Sequence, residues 1–200
     1  MLKVTELSFD YEDIPLLNQV SFTVKPGQLL HLRGKNGVGK TTLFKLLAGL
    51  LQANSGHIFW NEQLIQHALL AYQQNLCYLS HKPGLSALLT IRENYRFSWY
   101  GHDKIENFDN FLHEFDLIQS AEKPCGQLSL GQRHRASLLR LMMTDAKLWL
   151  LDEPFISLDK EAIALMMKKI QDHLEQQGMV ILTSHHDLAK THFKIKEYCL

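Results

Sequence analysis

No run of apolar residues in this sequence approaches the roughly 18 that a membrane-spanning helix requires. The opening stretch, Met1-Leu2-Lys3-Val4-Thr5-Glu6, has no apolar signal-peptide core, so no secretory leader is expected there. An excess of one charge is missing too. Lys+Arg and Asp+Glu both number 21, and a formal net charge of zero gives no bulk attraction for a polyanion, so no nucleic-acid partner is expected. Cysteine is scarce: Cys77, Cys125 and Cys199 are odd in number, and no two stand at metal-ligand spacing. They read as reduced thiols of a cytoplasmic protein. There is no linker, no low-complexity tract and no internal repeat.

What is present fits one folded domain over residues 1–200, with 46% hydrophobic residues to build a core. Lys3–Phe9 and Val20–Val24 alternate as strands do, and Lys25-Pro26-Gly27 is a turn. Gln28–Arg33 reads as a strand that runs into a glycine-rich loop. Thr41–Leu51 then reads as a helix, with Leu43, Leu46, Leu47 and Leu50 on one face and Gly49 within it. His57–Trp60 and Leu76–Leu79 look like short strands. Helices are expected over Leu89–Tyr100, Ile105–Phe115, Gln132–Thr144 and Asp159–Gln177. Lys147–Leu151 and Met179–Thr183 are apolar enough to be buried parallel strands. This order predicts an α/β fold with a parallel core sheet and a separate antiparallel β layer made by the opening strands.

Gly34-Lys35-Asn36-Gly37-Val38-Gly39-Lys40-Thr41 matches the phosphate-loop pattern G-x-x-x-x-G-K-[ST], between a predicted strand and a predicted helix. Backbone N–H groups of such a loop converge on phosphate oxygens at the positive end of the helix. Lys40 is expected on the β- and γ-phosphates and Thr41 on Mg²⁺, with Thr42 offering a further hydroxyl to phosphate. Leu148-Trp149-Leu150-Leu151-Asp152-Glu153 is an apolar strand that ends in two carboxylates. Asp152 is the expected Mg²⁺ partner, through water. On an extended chain Glu153 points the opposite way, where it can polarise the water that attacks the γ-phosphate.

Leu128-Ser129-Leu130-Gly131-Gln132 resembles the L-S-G-G-Q signature of ATP-binding cassette (ABC) proteins, with Leu130 in place of the first glycine. Ser129 and the Gly131 N–H stand at a helix start, where they can bind phosphate; an ordinary N-cap at Ser129 is the plainer reading of the same residues. Other elements resemble that family in order. Ser157-Leu158-Asp159 matches its D-loop and Thr183-Ser184-His185 its switch histidine, with His186 a bystander. Tyr11 stands where the family stacks an aromatic on adenine, with Phe9 the rival. The resemblance runs from about Leu7 to about Asp187. It implies a P-loop ATP hydrolase that uses ATP and Mg²⁺, with a helical signature subdomain inserted over about residues 82–145. It also implies a homodimer in which the signature of one subunit, Ser129, Gly131 and Gln132, meets ATP held by the other. Lys40, Glu153 and His185 are the expected catalytic residues, and Asp159 also faces nucleotide.

Tyr78-Leu79-Ser80-His81 fills the Q-loop, with His81 where the family has glutamine. Imidazole is a poor ligand for a hard cation, so His81 is expected to act by hydrogen bonding. His81-Lys82-Pro83-Gly84, with Asp152-Glu153-Pro154-Phe155, is similar to one ABC subgroup, the CcmA-type ATP-binding subunits of cytochrome c maturation haem exporters. That resemblance implies a peripheral subunit on the cytoplasmic face of a bacterial inner membrane. It would be held there indirectly by a CcmB-type membrane subunit, with a CcmC-type subunit as a further candidate. Leu85, Leu88, Leu89, Tyr95, Phe97, Trp99 and Tyr100 are the expected coupling surface. A haem site in this chain is not expected, since no Cys-x-x-Cys-His occurs. The alternatives are another small-substrate ABC exporter, a soluble ABC ATPase, whose coiled coil or second cassette is absent here, and a P-loop kinase, which needs an acceptor lid.

Overall fold

The computed structural model describes residues 1–12, 14–97, 107–186, 188 and 195–200. Trp99, Tyr100, Ile105 and Asp187, which figure in the expectations above, lie outside the described residues.

The opening alternation makes an antiparallel layer. β1 (Leu2–Tyr11) pairs with β2 (Ile14–Val24) on one side and β4 (Ser55–Trp60) on the other, and β5 (Gln63–Leu64) extends the sheet to the order β2-β1-β4-β5. Val4 and Leu7 are both buried although the two residues between them would put them on opposite faces of a regular strand. The register slips between them, with Glu6 at φ 48°, and this bulge returns the apolar residues to the core face.

β3 (Leu29–Arg33), β6 (Leu76–Leu79), β7 (Leu148–Asp152), β8 (Met179–Thr183) and β9 (Ile195–Cys199) form the parallel sheet, in the order β6-β7-β8-β3-β9. Its central strands are apolar on both faces because each face meets its own core. Leu148 and Leu150 of β7 and Met179 and Ile181 of β8 pack with the antiparallel layer and α1 (Lys40–Leu47). Trp149, Leu151, Val180 and Leu182 alternate with them and face the other core. That core is completed by α3 (Ile91–Arg96), α4 (Phe108–Glu114), α5 (Leu130–Met143) and α6 (Lys160–Glu175). α3, α4 and α5 all fall between β6 and β7 in the chain.

Several boundaries differ from the sequence expectation. α1 stops at Leu47 rather than Leu51, because Gly49 takes φ 68°. Leu50 N–H bonds Lys45 O at 2.8 Å and Gly49 N–H bonds Leu46 O at 3.0 Å, the Schellman closure of a helix. A Cβ on Gly49 would also lie 2.5 Å from Leu69 Cδ1. α5 begins two residues earlier than expected, since Ser129 caps it. β5, α2 (Leu69–Gln74) and the edge strand β9 were not anticipated. Tyr95, expected at a coupling surface, is core: its ring is 5% exposed and its hydroxyl donates to Ala136 O. Leu88 and Phe97 do stand exposed.

Under α6, the His173 ring stacks on Trp149 with centroids 3.9 Å apart. Its Nε2 is buried without a hydrogen-bond partner, and burial lowers its pKa to about 4. Below its ordinary value of about 6.5, the unfolded chain takes up a proton that the fold refuses. The destabilisation is therefore absent above that pH and grows as pH falls toward 4. Thermal unfolding of His173→Phe should show a shallower loss of Tm across this window than the parent chain; equal slopes would contradict the assignment.

Candidate functional site

The loop after β3 owes its shape to glycine. Gly37 and Gly39 take φ 83° and 106°. A Cβ on Gly39 would lie 2.8 Å from Leu17 Cδ2 and 3.1 Å from Leu16 Cγ, so a side chain there meets both strain and collision. Gly39 O accepts from Leu43 N–H at 2.8 Å and opens α1. The Lys40 ammonium folds over the loop and donates to Gly34 O at 2.8 Å and Lys35 O at 3.1 Å. Asn36 and Gly37 are exposed, Val38 is half-buried, and Thr42 is buried in the first turn of α1.

Asp152, at the end of β7, is 3% exposed, yet both carboxylate oxygens are satisfied. Thr41 donates to Oδ2 at 2.7 Å and Thr183 donates to Oδ1 at 2.9 Å. Asp152 and Thr183 are in register on neighbouring parallel strands. His81 Nδ1 lies 3.9 Å from Asp152 Oδ2, the oxygen that Thr41 also bonds. His81 is half-exposed and comes from the loop after β6.

Glu153 does not continue the strand, as the sequence reading supposed. Its φ is 55°, so a left-handed turn rather than strand alternation sends its side chain away from Asp152. Its N–H donates to Thr183 Oγ1 at 2.9 Å. Its carboxylate accepts from His185 N–H at 3.3 Å through Oε2, and Oε1 lies 3.6 Å from His185 Nε2. A cleft of about 1020 Å³ opens here, lined by Gly34, Lys35, Lys40, Glu153 and His185 among others.

The signature residues lie elsewhere. Ser129 Oγ accepts from Gln132 N–H at 3.1 Å, and Gln132 Oε1 accepts from Ser129 N–H at 3.0 Å. This is a capping box, worth about 1 kcal/mol for the helix start. Gln132 Nε2 also donates to Ser120 Oγ at 3.1 Å. A Cβ on Gly131 would stand 3.2 Å from Ser157 O, so glycine lets the signature sit close on the following loop. Asp159 caps α6 through Ala162 N–H at 2.8 Å and lies 3.9 Å from Arg135 Nη1. None of Ser129, Gly131, Gln132 and Asp159 lines the cleft, and neither do Tyr11, Asn36, Gly37, Val38, Gly39, Thr41, Thr42, His81 and Asp152.

Of the two aromatic candidates, Phe9 is 8% exposed and belongs to the core, whereas Tyr11 is 45% exposed. The rings meet edge-on at 4.8 Å. The sequence reading missed Thr183 as a site residue. The available signal was a hydroxyl ending an apolar strand beside another apolar strand that ends in a carboxylate.

Thr183→Val keeps the side-chain shape but strands the Glu153 N–H and one oxygen of Asp152. It should lower stability by about 1–3 kcal/mol, measured by urea unfolding. An unchanged midpoint would contradict this.

Comparison with known proteins agrees with this geometry. Residues 17–156 match the model of the ABC transporter family. A cytochrome c biogenesis ATP-binding export protein CcmA of Legionella pneumophila (strain Lens) is 46% identical over 200 residues, covering 100% of both chains. The protein of the same name from Escherichia coli O157:H7 is 36% identical over 100% of this chain and 96% of its own. A solved ATP-binding subunit of an ABC transporter superposes with a TM-score of 0.81 at 26% identity, covering 92% of this chain and 79% of that one. The chain therefore belongs to the ABC transporter family and, within it, to the CcmA-type cytochrome c biogenesis ATP-binding export proteins, which are ATP hydrolases of the cassette type.

Proposed function

We propose that two copies of this chain close over two ATP molecules and that hydrolysis drives the haem-export step of cytochrome c maturation. The reading rests above all on the likeness along the whole chain to a cytochrome c biogenesis ATP-binding export protein, 46% identical over 200 residues. Lys40, Glu153 and His185 line one cleft beside the phosphate loop, and in this reading a second copy supplies the signature edge at Ser129–Gly131. The chain works as a single cassette with a helical subdomain over about residues 82–145, which is consistent with α3, α4 and α5 lying between β6 and β7.

The residues present suit Mg²⁺. The Thr41 hydroxyl and the Asp152 carboxylate are hard oxygen donors within 2.7 Å of each other. No group of three or more His, Cys, Asp or Glu that could hold a metal occurs among the described residues, and an ion that keeps its waters and takes phosphate oxygens needs none. Bound there, Mg²⁺ supplies positive charge against the β- and γ-phosphates. His81, beside Asp152 Oδ2, hydrogen-bonds water or phosphate.

Gly34, Lys35, Asn36, Gly37, Val38 and Gly39 present backbone N–H groups to the phosphates, with Lys40, Thr41 and Thr42 behind them. Tyr11 stacks on adenine. Ser129 and Gly131 donate to the γ-phosphate held by the other copy, Gln132 fixes Ser129, and Asp159 lies at the same seam. Glu153 accepts a proton from the attacking water. Lys40 and His185 oppose the charge that develops on the transferring phosphoryl group. Closure of the pair excludes bulk water.

No described helix is long and apolar enough to cross a membrane. In this reading a CcmB-type subunit, with or without a CcmC-type one, holds the pair on the cytoplasmic face of a bacterial inner membrane. The exposed Leu88 and Phe97 offer it apolar area.

Glu153→Gln should keep ATP binding, lose phosphate release by about 100-fold or more, and accumulate ATP-bound dimers on size exclusion. Normal turnover in that variant would remove Glu153 from the base role. Deletion of the gene should abolish covalent haem in c-type cytochromes on haem-stained gels. Normal haem attachment would reject the export assignment.

A further inference from the structure

β3 carries a polar side chain that no motif includes. His31 stands just upstream of the phosphate loop, is 6% exposed, and forms part of the cleft wall. Its Nε2 lies 3.1 Å from Ser184 O. A carbonyl oxygen only accepts, so this nitrogen carries a proton and donates it. The other ring nitrogen, Nδ1, faces Glu197 Oε1 on β9 at 3.9 Å. Glu197 is itself held by Arg33 Nη1, at 3.1 and 3.2 Å from its two oxygens. The Nε2 contact is the one of hydrogen-bond length, and β3 lies between β8, which leads to Ser184, and β9, which carries Glu197.

Ser184 O and His185 N belong to one peptide unit. That unit is planar and trans, so its C=O and N–H point in opposite directions. The carbonyl end accepts from His31. The N–H end donates to Glu153 Oε2 at 3.3 Å. Rotation of the plane moves both ends, and a donor on the carbonyl therefore fixes the direction of the N–H. We propose that His31 is a positioning residue: by clamping the Ser184–His185 peptide, it holds the Glu153 carboxylate in the orientation that attack by water requires. This rests on the reading of Glu153 as the base.

The role differs from plain packing in what it should change. Loss of the clamp removes no hydrogen bond to the phosphate loop or to Tyr11, so nucleotide affinity is retained. The carboxylate samples more orientations, so the chemical step slows. His31→Leu removes the donor at similar volume. His31→Gln restores an N–H donor that can reach the same carbonyl.

The test is steady-state ATP hydrolysis by the full-length chain purified with its membrane partners, alongside binding of a fluorescent ATP analogue. His31→Leu should lower kcat about five- to twentyfold with KM and analogue affinity within about twofold of the parent. His31→Gln should recover kcat to within about twofold of the parent. If His31→Leu does not fold, His31→Met, which is also donorless but more adaptable, takes its place with the same expectation. Parental kcat in the donorless variant overturns the inference. So does a loss of kcat and affinity together that glutamine does not restore. A parent complex with no turnover overturns the reading of the site and this inference with it, whereas an active parent with an indifferent His31 overturns the inference alone.

Discussion

One buried carboxylate organises this molecule. Asp152 lies at the C-terminal end of a central strand and is almost wholly shielded from water. Burying such a charge without partners is costly enough to neutralise the group or to prevent burial. Two hydroxyls answer that demand, one from the first turn of α1 and one from the end of β8. The same contacts lock together the helix after the phosphate loop and two strands of the parallel sheet. Thr183 also holds the backbone of Glu153. The loop, the two acids and the loop bearing His185 thus share one rigid platform at the carboxyl ends of the strands, where sheets of this kind place their ligands.

That platform is linked to the distant signature helix. His134 of α5 is 4% exposed and its Nε2 donates to Pro154 O at 2.9 Å, one residue beyond Glu153. Burial lowers the pKa of this imidazole, which favours the neutral ring. Gly131 meanwhile lets the signature rest against Ser157. The start of α5 and the segment after β7 are packed as one body, so the signature is mechanically joined to the acids of its own chain.

Much of this was legible in the sequence because local chemistry constrained it. The spacing of Gly34, Gly39, Lys40 and Thr41 permits few structures besides a phosphate loop. The double-sided burial of β7 and β8 shows in their unbroken apolar runs. Other features depend on partners remote in the chain. Gly49 looked like a helix interior, and only its left-handed backbone and the closeness of Leu69 show that it ends the helix. Tyr95 sits in an aromatic stretch that reads as surface until its hydroxyl finds the backbone of α5. β9 has the mixed composition of an edge strand, with polar and apolar residues interleaved, and gave no apolar run to detect. The direction of Glu153 is set by a turn at a left-handed residue, which strand alternation does not reveal.

The central claim is that each ATP site is built from two copies of the chain. Mixing two inactive variants tests it most directly, one carrying Lys40→Ala and the other Ser129→Arg. If sites are shared, a mixed pair contains one site with both lesions and one with neither, so ATP hydrolysis reappears on mixing. If each chain completes its own site, every site in the mixture carries a lesion. The mixture would then stay as inactive as its components, and the account would be contradicted.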